Sequence, residues 1–78
     1  MTNKNEELLG EVIKLVEEHS TNKPIKEGIE HLVHAFRLIK EKTARKNILE
    51  SMALAIDAAK IGESPHQEVM DKLTTIKI

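Results

Sequence analysis

Glu27, Glu30, His31 and His34 sit within eight residues of one another. On a helix their i, i+3 and i+4 spacings bring all four to one face, where imidazole and carboxylate can ligate a transition metal. Within this cluster the Glu-x-x-His spacing of di-iron bundles is absent. The ligands of those bundles also project inward, whereas these four lie opposite the apolar stripe of their own segment. A solvated face with i, i+4 contacts is the ordinary reading, so no metal and no cofactor is expected.

A second cluster is basic. Arg37, Lys40, Lys42, Arg45 and Lys46 face only Glu41, which makes residues 37–46 net +4 in a chain whose total is −1. Lysine and arginine gathered around a turn form an electrostatic footprint that can contact phosphates. The chain supplies no glycine-rich phosphate cradle, its only aromatic is Phe36, and stacking on bases needs aromatic faces. Basic residues at the end of a helix also complement its dipole without any ligand.

Nucleophilic chemistry has little to work with. Ser20 falls in a loop, Ser51 inside a helical segment and Ser64 at a helix start, none beside a base at triad-like spacing. His66 is expected in a first helical turn, exposed, where the dipole disfavours a cation. There is no cysteine, so thiolate catalysis, disulfides and cysteine zinc sites are excluded. No catalytic residue is assigned and no enzyme is expected. A helix-turn-helix reader made from the last two helices is disfavoured as well, because Pro65-His-Gln-Glu-Val-Met-Asp-Lys carries more acid than base and would repel DNA phosphates.

The elements that must position these residues follow from apolar spacing. Seventy-eight residues make one domain, near the size at which a single core yields only a few kcal/mol. At ~100° per residue, Ile25, Ile29, Leu32, Val33, Phe36 and Ile39 share one helical face. Continued at the same winding, Ile48, Leu49, Met52, Ile56 and Ala59 land on the opposite face. One straight helix would need partners on two sides, so a turn is expected within Glu41–Arg45.

The result is an all-α bundle of four helices, at about 5–18, 24–41, 44–61 and 65–76, with the second and third forming an antiparallel hairpin. Asn3 or Asn5 is expected to cap the first helix and Pro24 to open the second. Gly62 is expected to stop the third, and Ser64, Pro65 and Gln67 to form a capping box for the fourth. The third helix is alanine-rich and apolar nearly all round, so it is expected to be covered on most sides.

The polar, acidic residues 1–7 lack the flank and apolar run of a signal peptide, and no stretch approaches the ~18 apolar residues of a membrane span. A cytoplasmic protein is expected.

Leu38 falls on the polar face of the second helix. With a third helix that needs cover and with Ile76 and Ile78 near the end, it implies more apolar surface than four short helices can hide. Leu38, Ile48, Met52, Ile56, Ile61, Met70 and Ile76 are the candidate interaction surface.

Residues 6–76, short and rich in Lys, Glu, Ile and Leu with a helix opening at Ser64-Pro65, resemble the small four-helix immunity proteins of antimicrobial-peptide producers. The aromatics often found near the end of those proteins are missing here. Ala35-Phe-Arg-Leu-Ile followed by Arg45-Lys-Asn-Ile-Leu-Glu is similar to oligomerisation hairpins of bacterial transcription regulators. The leading expectation is a non-enzymatic interaction module, a bacterial or phage regulatory adaptor, acting as a homodimer or on another protein's helix. The alternatives are a nucleic-acid-associated regulator using residues 37–46 and an immunity-like bundle.

Overall fold

The computed structural model describes residues 4–78. Four helices follow in order: α1 (Lys4–His19), α2 (Lys23–Leu38), α3 (Lys42–Ala59) and α4 (Glu63–Thr75). There is no strand among the described residues. The expected small all-α bundle is what forms, and α2 packs most extensively on α3.

Apolar residues three and four apart build each inner face. Leu8, Leu9, Val12 and Val16 of α1 meet Ile29, Val33 and Phe36 of α2, Met52 and Ile56 of α3, and Val69 and Leu73 of α4. α1 also packs against α4, and narrower contacts join α1 to α2 and α3 to α4, so the helices close a ring of antiparallel neighbours. Polar ties reinforce closure. Lys72 Nζ meets Glu11 Oε2 at 3.1 Å, and the Asn5 side chain donates to Lys77 O at 2.7 Å and accepts from Lys77 N at 3.1 Å. Asn5 thus lies inside α1 and clasps the segment after α4 instead of capping; Asn3 lies outside the described residues.

The ends of the helices depart from expectation for identifiable reasons. α2 begins as foreseen, with Pro24 in the first turn, and Asn22 accepts from Ile25 N at 3.1 Å. It stops at Leu38 instead of Glu41, because Ile39 turns extended at φ −87°, ψ 127°. The reversal is therefore Ile39–Lys40–Glu41, which reaches only the first residue of the segment expected to hold it, Glu41–Arg45. α3 accordingly starts two residues early, with Glu41 as its cap.

At the other end α3 closes on Lys60, in the left-handed conformation at φ 51°, and Ile61 is a buried residue of the connection. Gly62, at φ 104°, precedes α4, a conformation that favours glycine. Its carbonyl accepts from His66 N at 2.9 Å. The capping box does not form. Ser64 is exposed within the first turn, and Gln67 donates instead to Asp71 Oδ1 at 2.9 Å.

α3 is also less enclosed than its composition suggests. Met52 and Ile56 are its only fully buried residues, while Leu54 is 72% exposed. α3 packs extensively on α2 and only narrowly on α4, so one broad neighbour replaces several, and half-buried Ala55 and Ala59 lie against the core.

Candidate interaction surface on the α2–α3 hairpin

Arg45 fixes the hairpin. Its Nε donates to Ile39 O at 2.8 Å and its second guanidinium nitrogen to Phe36 O at 3.1 Å, while the guanidinium carbon stands 4.1 Å from the centre of the Phe36 ring. Carbonyls in the last turn of a helix lack intrahelical partners, and here a side chain from the next helix supplies them. The planar fork and its charge suit that task and the ring face together.

Glu41 fixes the start of α3. Its two carboxylate oxygens accept from Thr43 N at 3.2 Å and Ala44 N at 2.7 Å. Those bonds, that from Ala44 first, hold its pKa below the ordinary carboxylate value. The folded state therefore binds fewer protons at this site than the unfolded chain does. The stabilisation is complete above the ordinary glutamate range and fades as pH falls through the lowered value. Thermal melts of wild type and Glu41→Gln should consequently converge as pH is taken from 7 to 3, the wild type losing more. Parallel loss in both would show that the cap contributes nothing to acid sensitivity.

These two anchors decide the basic cluster. Arg45 is turned onto Phe36, and Arg37 donates from Nε to Glu6 Oε2 at 2.8 Å, an exposed pair worth little in stability. Lys40, Lys42 and Lys46 meet no carboxylate among the described residues. Of the five cations that could face phosphate, three stand free for it.

The apolar candidates divide in the same way. Met52 and Ile56 are fully buried, and Ile61 and Ile76 nearly so, because they fill this chain's own core and are unavailable to a partner in this fold. Ile48 and Met70 are half-buried. Leu38, at 66% exposure, is open, as its place on the polar face implied. Sequence reading missed Leu54, because a helix thought to need cover all round gave no reason to single out one leucine.

Placed at ~100° per residue, Gly28 lies on the exposed side of α2 with half-buried Ala35 two turns on, Leu38 stands farther round at the last residue of the helix, and Ser51, Leu54 and Ala58 lie on the outward side of α3. Heights along the hairpin can be counted from the Phe36–Arg45 contact. At 1.5 Å per residue, Gly28 lies about 12 Å and Leu54 about 13.5 Å from it, so the two are almost level. A Cβ added at Gly28 would meet nothing within 4 Å. An exposed leucine on α3 and an open glycine on α2 therefore lie at nearly the same height along the hairpin.

Glu27, Glu30, His31 and His34 are exposed on α2, and among the described residues no group of three or more His, Asp or Glu side chains could hold a metal ion. A Glu-x-x-His spacing does occur at Glu63 and His66, where both line an open hollow with Asp57. His66, expected exposed, is half-buried, and its Nε2 is enclosed 3.4 Å from Asp57 Oδ1 with no hydrogen-bond partner. No helix is long and apolar enough to cross a membrane among the described residues.

No family model matches the chain, and no curated protein or solved structure matches it.

Proposed function

We infer that the chain is a protein-interaction module without catalysis of its own, a small regulatory adaptor that pairs with a second copy through the outward side of α2 and α3. The observation that carries this reading is Leu54, 72% exposed and level with the empty notch at Gly28. A two-fold axis running along the hairpin between α2 and α3 sets each Leu54 over the partner's Gly28, a self-complementary knob and hole. Burying a leucine side chain fully is worth about 1.5–3 kcal/mol, and the arrangement does so twice. A glycine in the middle of an exposed helix costs about 1 kcal/mol relative to alanine; a notch that receives a side chain gives that glycine a purpose.

Sedimentation equilibrium at tens of micromolar tests the reading. The wild type is expected at the dimer mass, and Leu54→Glu and Gly28→Leu at the monomer mass. Gly28→Leu fills open space and raises helix propensity, so its dissociation would not reflect unfolding. A wild-type monomer throughout that range would overturn self-pairing.

A further inference from the structure

Three of the four large apolar side chains left exposed among the described residues are Leu38 at 66%, Ile39 at 39% and Ile78 at 44%. The ties already described bring them to one end of the bundle. Arg37–Glu6 sets the end of α2 beside the start of α1, Asn5–Lys77 sets the segment after α4 there as well, and Ile78 lines a hollow with Lys42, Thr43 and Lys46. The free ammonium groups of Lys40, Lys42 and Lys46 surround the same residues. Among the acids at this end, Glu41 is committed to its cap and Glu6 to Arg37, which leaves exposed Glu7 outnumbered by Lys40, Lys42 and Lys46. At the opposite end Glu17, Glu18, Glu27, Asp57, Glu63 and Glu68 outnumber Lys14, Lys23, Lys26 and Lys60, so the bundle carries a lengthwise charge asymmetry that would orient it in an external field.

We propose that this tip docks the protein on an anionic lipid bilayer, Leu38, Ile39 and Ile78 entering the interfacial layer while Lys40, Lys42 and Lys46 meet headgroup phosphates. The shape of the tip selects a bilayer over another protein's helix. It is built from helix ends and a three-residue reversal and, among the described residues, has no elongated groove for an amphipathic helix, whereas insertion into an interface needs only a protruding apolar point. Chemistry selects it over nucleic acid, because three exposed aliphatic side chains gain nothing from a phosphate backbone and the tip has no aromatic to stack. The hollow of about 230 Å³ between Lys42, Lys46 and Ile78 pairs ammonium groups with an apolar wall, as a phosphate carried on an acyl glycerol requires. The Arg45 clamp holds the reversal in shape, so little ordering cost attends docking. This inference does not depend on self-pairing through Leu54.

Flotation of the whole chain with liposomes tests it. Vesicles of phosphatidylcholine with phosphatidylserine should carry the protein and vesicles of phosphatidylcholine alone should not. Each juxtamembrane lysine contributes about a fivefold factor, so the triple change Lys40→Gln, Lys42→Gln, Lys46→Gln should weaken binding about a hundredfold. Leu38→Ser with Ile39→Ser should weaken it about tenfold or more while leaving the circular dichroism spectrum intact. Leu54→Glu should keep the preference for anionic vesicles even as a monomer, which separates this test from the previous one. Equal partitioning to both vesicle types, or binding indifferent to the lysine changes, would overturn the proposal. So would tighter binding to a DNA duplex at the same salt that ignores Leu38 and Ile39.

Discussion

Phe36→Ala should leave the chain largely unfolded at 25 °C. Phe36 is fully buried and is the largest of the core side chains. Truncating a buried phenylalanine to alanine costs about 3–5 kcal/mol, whereas a single core in a domain of this size supplies a net stability of about the same amount. The substitution also removes the ring face beneath Arg45, so the cavity and the lost clamp fall on the same turn. Far-ultraviolet circular dichroism with urea titration measures the outcome. Phe36→Leu, which keeps most of the volume, should retain a cooperative transition at lower urea. A Phe36→Ala protein within 1 kcal/mol of wild type would show that the core is not organised around this ring.

Arg45→Ala should destabilise by about 2–3 kcal/mol. Hydrogen bonds involving a charged group are worth about 1.5–3 kcal/mol each when buried, and a cation–π contact adds about 0.5–1 kcal/mol at an exposed site. Half-burial of Arg45 and mutual dependence of the three contacts hold the total below their sum. The informative comparison is Arg45→Lys. It keeps the positive charge yet lacks a planar fork that reaches Phe36 O and Ile39 O while covering the ring, so it should recover less than half of the loss. A lysine variant as stable as wild type in urea would mean that charge near the helix end, and not the fork, closes the hairpin.

The same pair of residues explains how far the fold could be read beforehand. The switch of apolar face between Ile39 and Ile48 was legible because it depends only on helical periodicity, and it implied a reversal. Its position was not, since Ile39–Glu41 is set by bonds that Arg45 makes back across the reversal to Ile39 and Phe36 and by a glutamate acting as cap. Glutamate is an uncommon cap, and nothing local marks it. The misplaced start of α4 has a similar origin. Ser64, Pro65 and Gln67 satisfy a capping pattern, but Lys60 adopting a left-handed conformation ends α3 early, and Gly62 at positive φ then launches α4 before Ser64 is reached.

At the candidate site, Leu38 was legible as an apolar residue on a polar face. Leu54 was not, because alanine-rich composition looks the same whether the alanines invite many neighbours or one close one. The division of the basic cluster was equally hidden. Arg37, Arg45 and the three lysines look alike in sequence, and only the partners Glu6, Phe36 and Ile39 separate the structural cations from those left free.

Amide chemical-shift mapping on dilution of the isotopically labelled wild-type chain reports both whether two copies meet and where. Concentration-dependent shifts should centre on Gly28, Ala35, Ser51, Leu54 and Ala58, and vanish in Leu54→Glu. A spectrum unchanged from millimolar to low micromolar protein, or shifts confined to α1 and α4, would contradict pairing through the outward side of the hairpin.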